Sequence, residues 1–139
     1  MVQKKSKKVL IIFSDFYPEI SANLINGAKS YLTSNNIFFD KIRVDGSLEI
    51  PFVLHKLQND YLGFIVLGCV IKGETDHYDF ICNAVSNGIM QLNISCSIPV
   101  IFCVLTDHNK NQSLDRSGGK LGNKGAEAAI AALKMISFK

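Results

Sequence analysis

The chain has 139 residues, 47% hydrophobic and 19% charged, a size and balance that suit one compact domain and exclude an intrinsically disordered chain. A net charge of +3, with four of the positives (Lys4, Lys5, Lys7 and Lys8) gathered at the N-terminus, is no nucleic-acid footprint, and no RNA-binding aromatic pattern or finger spacing accompanies it. The longest apolar runs, Phe64 to Ile71 and Ile98 to Leu105, fall far below the ~18 residues of a membrane helix. The basic start leads into a strand-length run without a cleavage pattern, so a cytoplasmic protein with no membrane partner is expected.

Val9 to Phe13 is a continuous apolar run, the pattern of a strand buried on both faces. Ile20, Leu24, Ala28, Tyr31 and Leu32 follow near helical spacing, and Asn35-Asn36 ends that helix. Ile37 to Val44 reads as a second strand, and Ile50 to Gln58 as a short helix with Pro51 tolerated in its first turn. Phe64 to Val70 is the third strand, and a helix runs from about Asp76 to Leu92. Val100 to Leu105, opened by Pro99, is the fourth strand, and helices over Lys110 to Arg116 and Asn123 to Ile136 close the chain around a break at 117–122.

Strands separated by helices of this length predict right-handed crossovers and a parallel sheet covered on both faces. The expected fold is a single doubly wound three-layer αβα sandwich over residues 9–139, flavodoxin-like, with a four-stranded parallel sheet and a basic tail at 1–8. The four cysteines (Cys69, Cys82, Cys96 and Cys103) show no Cys-x-x-Cys and sit in or near apolar segments, the placement of reduced, buried thiols rather than metal ligands. The Asn93-Ile94-Ser95 glycosylation pattern has no use without a secretory route.

Ligands of such sheets bind beyond the carboxyl ends of the strands. The segment from Gly68 to Phe80 lies there: an apolar strand, a glycine turn at Gly73, then a helix opening at Thr75 with His77 in its first turn. A helix N-terminus with a glycine turn holds a phosphate, and a histidine beside it moves protons, so this is a candidate site for a phosphorylated substrate. Read alone, His77 is more simply a helix-surface histidine. His55 lies mid-helix and reads as structural, and His108 sits in a strand-end loop without a supporting motif. Arg116 is one of two arginines; its planar fork can grip phosphate with two parallel bonds, although a charge satisfying a helix C-terminus is the plainer reading.

Five ordered blocks together resemble the 6,7-dimethyl-8-ribityllumazine synthase family. Ser14-Asp15-Phe16-Tyr17 resembles its Arg-Phe-Asn turn, and Val44-Asp-Gly-Ser-Leu-Glu49-Ile-Pro51 its second loop. Gly68 to Asp79 is similar to its Gly-x-x-Ile-Arg-Gly-x-Thr-x-His signature. Pro99 to Thr106 resembles its fourth strand. Asp115-Arg116-Ser-Gly118 with Gly122-Asn-Lys124-Gly125 resembles its closing pair of motifs.

The resemblance implies an enzyme of riboflavin biosynthesis that condenses 5-amino-6-(D-ribitylamino)uracil with 3,4-dihydroxy-2-butanone 4-phosphate, releasing phosphate and water. No metal or organic cofactor is implied, and the site would lie between neighbouring subunits of a ring of five. The family assigns His77 to proton transfer, and Gly73, Glu74, Thr75, Arg116 and Lys124 to the phosphate region. Phe16 would stack on the pyrimidine and Phe102 of the adjacent subunit would line the pocket. Glu49 would meet the ribityl chain with help from Ser47 and Leu48, and Val70 and Ile71 would be among the substrate-binding residues. By themselves, Phe102 is a core phenylalanine and Glu49 a capping carboxylate.

Four positions depart from the family pattern. Tyr17 and Leu48 replace an asparagine and an aromatic, and Lys72 replaces an arginine. Glu74 puts a carboxylate beside the phosphate turn, where it must point away or pair with a cation such as Lys72. The short tail favours a free or paired pentamer over a sixty-subunit shell. The alternative is a non-catalytic flavin- or lumazine-binding relative of the same fold. An ordinary flavodoxin is disfavoured, since no Ser/Thr-rich loop follows the first strand.

Overall fold

The computed structural model describes residues 7–138. Its central sheet holds four strands: β1 (Val9–Ser14), β2 (Phe39–Val44), β3 (Gly63–Ile71) and β4 (Val100–Asp107). They are parallel, in the order β2-β1-β3-β4. The helices are α1 (Pro18–Ser34), α2 (Ile50–Leu57), α3 (His77–Ser95), α4 (Lys110–Arg116) and α5 (Lys124–Ile136), and a 3₁₀ turn at Ser47–Glu49 precedes α2.

The two-residue period of the central strands divides their side chains between two cores. Val9 and Ile11 of β1, with Ile65, Leu67 and Cys69 of β3, pack against α1 and α5. Leu10 and Ile12, with Phe64 and Val66, pack against α2 and α3. Each fully buried Leu or Ile contributes about 1.5–3 kcal/mol by leaving water, so the doubly buried β1 and β3 are the spine of the fold. The three-layer doubly wound architecture is the one expected from the sequence.

Differences lie at element ends. Ile37 and Phe38 fall outside β2, because Asn36 turns in the left-handed region (φ 59) and Ile37 N donates back to Leu32 O at 2.9 Å. Helix α3 begins at His77 rather than Asp76, and Thr75 Oγ1 accepts from His77 N at 3.4 Å. β4 runs on through Asp107, beyond the expected end at Leu105. The break at 117–122 holds two short antiparallel strands, β5 (Ser117–Gly119) and β6 (Gly122–Asn123), with Gly118 and Gly122 at positive φ. Of the expected basic tail, residues 1–6 lie outside the described residues, and Lys8 is already tied to the sheet, its carbonyl accepting from Leu62 N at 2.9 Å. Among the described residues no helix is long and apolar enough to cross a membrane.

The closing Gly-Asn-Lys-Gly motif is a docking device for α5. Asn123 caps the helix, its Oδ1 accepting from Ala126 N at 3.1 Å, while its Nδ2 donates to Asn23 O of α1 at 2.9 Å. Gly27 leaves room for that amide: a Cβ there would lie 2.7 Å from Asn123 Nδ2. Gly125 lets α5 press directly on the Leu24 backbone. Lys124 is held between these two contacts.

Candidate active site

Strand order reverses direction on either side of β1, with β2 next to it on one side and β3 on the other. A crevice opens at such a switch point, beyond the carboxyl ends of the strands. Here it is a cleft of about 520 Å³, floored by Cys69, Val70 and Ile71 at the end of β3. Its walls are the loop after β1, the 3₁₀ turn after β2 and the first turns of α3.

Nine of the thirteen expected site residues line it: Phe16, Ser47, Leu48, Glu49, Val70, Ile71, Gly73, Thr75 and His77. The Phe16 ring is 72% exposed at the rim and meets Tyr17 edge-on at 5.1 Å. Ser47 is buried, and its hydroxyl shares a 3.3 Å hydrogen bond with Ser14 Oγ. That seat exists because residue 68 is glycine: a Cβ there would come within 2.9 Å of Ser47 Oγ and 3.0 Å of Ser14 Oγ. Seated this way, the turn carries Leu48 and Glu49 to the cleft mouth.

Arg43 braces the first two loops, donating to Asp15 at 2.8 Å and to Asp45 at 2.9 Å. The hydrogen bond from Arg43 holds the Asp15 carboxyl below its ordinary range. On the opposite wall, Tyr78 OH donates to Thr106 O at 2.7 Å, fastening the first turn of α3, and with it His77, to the end of β4. Burial pushes the Tyr78 phenol up, so it stays a donor. Burial likewise pushes up the Cys69 thiol, which leaves this cleft cysteine protonated and a poor nucleophile.

Four expected residues do not line the cleft. Glu74 is exposed and makes no ion pair among the described residues, with Lys72 or otherwise. Phe102 lies on the edge strand β4 and packs on the α2–α3 core. Arg116 Nη1 reaches Asp107 Oδ1 at 2.8 Å, and Lys124 Nζ reaches Glu127 Oε2 at 3.2 Å. Burial, and after it the Glu127 charge, push the Cys103 thiol up to about 12 against the opposing charges of Arg116 and Lys124. Arg116 closes α4 and Lys124 opens α5, and neither lines the cleft.

Tyr17, Asp45, Gly46, Cys69, Tyr78 and Ile81 also line the cleft without having been expected to bind substrate. Ile81 was legible in principle, being four residues after His77 on one helix face. Asp45 and Gly46 lie in a strand-end loop that the fold itself points to.

A doubly wound α/β domain with a loop-built cleft at its switch point, a glycine turn and a helix-opening histidine has the form of a small-molecule enzyme. The family model for 6,7-dimethyl-8-ribityllumazine synthase matches residues 6–139. A relative from Flavobacterium johnsoniae named 6,7-dimethyl-8-ribityllumazine synthase is 49% identical over 134 residues, spanning 93% of this chain and 70% of its own length. The chain belongs to the 6,7-dimethyl-8-ribityllumazine synthase family and is a transferase-type condensing enzyme of riboflavin biosynthesis. The non-catalytic alternative is not favoured.

Proposed function

We propose that the cleft is one half of the catalytic site and that a neighbouring subunit supplies the other half. The observation that carries this reading is a charge mismatch. Among the described residues the cleft is lined by two carboxylates, Asp45 and Glu49, and by no lysine or arginine. A phosphorylated ketone needs cations, and the phosphate-assigned Arg116 and Lys124 stand outside the cleft. A second copy packed against the mouth supplies them, together with Phe102. Exposed apolar side chains on α3 (Phe80, Met90 and Ile94) support burial against further copies, as a ring of five requires.

Within the assembled site the uracil ring stacks on Phe16 and its ribityl hydroxyls meet Glu49 and the 3₁₀ turn. The ketone phosphate sits on the turn at Gly73 and Thr75, under the N-terminus of α3, with Arg116 and Lys124 of the neighbour closing over it. His77 then shuttles protons as the imine forms between the two substrates and phosphate leaves. The enzyme works in the cytoplasm, needs no cofactor, and has small molecules as its partners besides copies of itself.

Complementation tests the shared site. His77→Ala and Arg116→Ala chains each form product poorly alone, the first by a factor on the order of 10²–10⁴. Co-expressed in equal amounts, they place an intact His77 opposite an intact Arg116 at about one interface in four. Lumazine formation, followed by absorbance, then recovers to about a quarter of the parent rate. Mixed assemblies no better than the separate variants would mean that each chain holds its own complete site. The mass in solution should be a multiple of five times the 15.3 kDa chain.

A further inference from the structure

Asp107 ends β4, and its side chain is only 7% exposed. A carboxylate so buried needs partners for both oxygens. Oδ2 accepts from Ser113 Oγ at 2.8 Å, and Oδ1 accepts from Arg116 Nη1 at 2.8 Å. Ser113 is itself fully buried and accepts from Cys69 Sγ at 3.3 Å. The backbone at this strand end is fixed as well: Lys72 N donates to Asp107 O at 2.9 Å, and Tyr78 OH donates to Thr106 O at 2.7 Å. The carboxylate is thus the immobile partner, and the guanidinium takes its orientation from it. Arg116 has five N–H donors in a rigid fork. With Nη1 engaged by Asp107 and the side chain 37% exposed, the remaining edge is left for an anion.

We infer that Asp107, seated by Ser113, is a positioning residue that presents Arg116 to the substrate phosphate in an already ordered orientation. This rests on the assignment of Arg116 to that phosphate. Without the carboxylate, a long flexible side chain has to be ordered at the moment of binding, which weakens affinity. The Asp107 charge acts in the opposite sense, since it subtracts from the pull of Arg116 on phosphate. The ordering term is expected to prevail, and a tightened phosphate constant in Asp107→Ala would show instead that the charge does.

Two substitutions separate these effects. Asp107→Ala removes both the anchoring bond and the charge, whereas Asp107→Asn removes the charge and keeps an acceptor oxygen for Nη1. For Asp107→Ala, KM for the phosphorylated ketone and the inhibition constant of inorganic phosphate should rise together, by roughly three- to tenfold. KM for the uracil substrate should hold, and Asp107→Asn should restore most of the loss. Phosphate constants that are unchanged or tightened in an assembled Asp107→Ala protein would overturn the inference. Arg116→Ala, run alongside, keeps the two claims apart. If it leaves the phosphate constants unchanged, the assignment of Arg116 is wrong; if it raises them while Asp107→Ala does not, only the positioning role fails. Should Asp107→Ala fail to assemble, Ser113→Ala is read by the same phosphate inhibition, with a rise expected and an unchanged constant overturning the proposal.

Discussion

Adding one methyl group at Gly125 should part α1 from α5. The glycine is buried as the second residue of α5, and a Cβ there would overlap the Leu24 carbonyl oxygen, with Leu24 C at 2.7 Å and Cα at 2.9 Å. All three atoms are backbone, so no side chain can rotate away. Carbon atoms pack at about 3.5–4.0 Å, so the helices must separate by roughly 1 Å. Leu24, Ala28, Ala128, Ala129 and Ala132 fill this interface, and such short side chains cannot close the gap. Overpacking of this kind costs about 1–3 kcal/mol, and the better helix propensity of alanine returns less than ~1 kcal/mol. The Asn123 cap crosses the same interface to Asn23, and disturbing it adds up to ~1 kcal/mol. A net loss of about 2 kcal/mol is expected for Gly125→Ala, read as a lower urea midpoint at unchanged slope. Gly73→Ala is the control, since its Cβ meets nothing within 4 Å and its φ is not positive; it should shift stability by no more than about 0.5 kcal/mol. A Gly125→Ala protein as stable as this control would refute the packing account of the Gly-Asn-Lys-Gly motif.

Arg43→Ala should leave thermal stability nearly unchanged, because its bonds to Asp15 and Asp45 are exposed. It should nonetheless raise KM for the uracil substrate by roughly threefold, by loosening the loops that carry Phe16 and Glu49; steady-state kinetics with an unaltered KM would dismiss the brace. The Cys103 thiol, raised by burial from 9.0 to about 12, should resist alkylation at pH 8 until the protein unfolds. Because the folded state favours the neutral thiol, its contribution to stability is complete below pH 9.0 and is lost as pH rises through about 12. Labelling of native Cys103 as fast as the half-buried Cys96, followed by mass spectrometry, would contradict this.

The sheet was legible because β1 and β3 are short continuous apolar runs bounded by polar or glycine turns, a pattern that fits a doubly covered parallel strand and is too short for a typical helix. The start of β2 was not. Ile37 and Phe38 look strand-like, yet the left-handed Asn36 commits them to reversing the chain. Thr106 and Asp107 read as loop because a polar pair follows an apolar run, whereas Asp107 pairs with Ile71 in the last rung of the β3–β4 ladder. The one-chain cleft was readable wherever site residues lie in strand-end loops: Phe16, the Ser47–Glu49 turn, Gly73, Thr75 and His77. The partners of Arg116 were not, since a buried carboxylate nine residues away declares itself only when β4 and α4 are folded together.

The two closing motifs differ in what they contribute. In Gly122-Asn-Lys-Gly125, the asparagine and the last glycine are occupied with seating α5 on α1, and Lys124, paired with Glu127, is the member that carries a charge. In Asp115-Arg116-Ser-Gly118, the arginine is held by a carboxylate that the motif does not contain. The strand end that orients Arg116 is also bonded to Tyr78 and Lys72, beside the cleft of its own chain. If Arg116 serves a neighbour's cleft, the end of β4 is common scaffolding for two sites at once. A change that moved this backbone would reach the His77 wall of one site and the phosphate half of the next, whereas loss of the Asp107 side chain alone, which leaves both carbonyls in place, would reach only the latter.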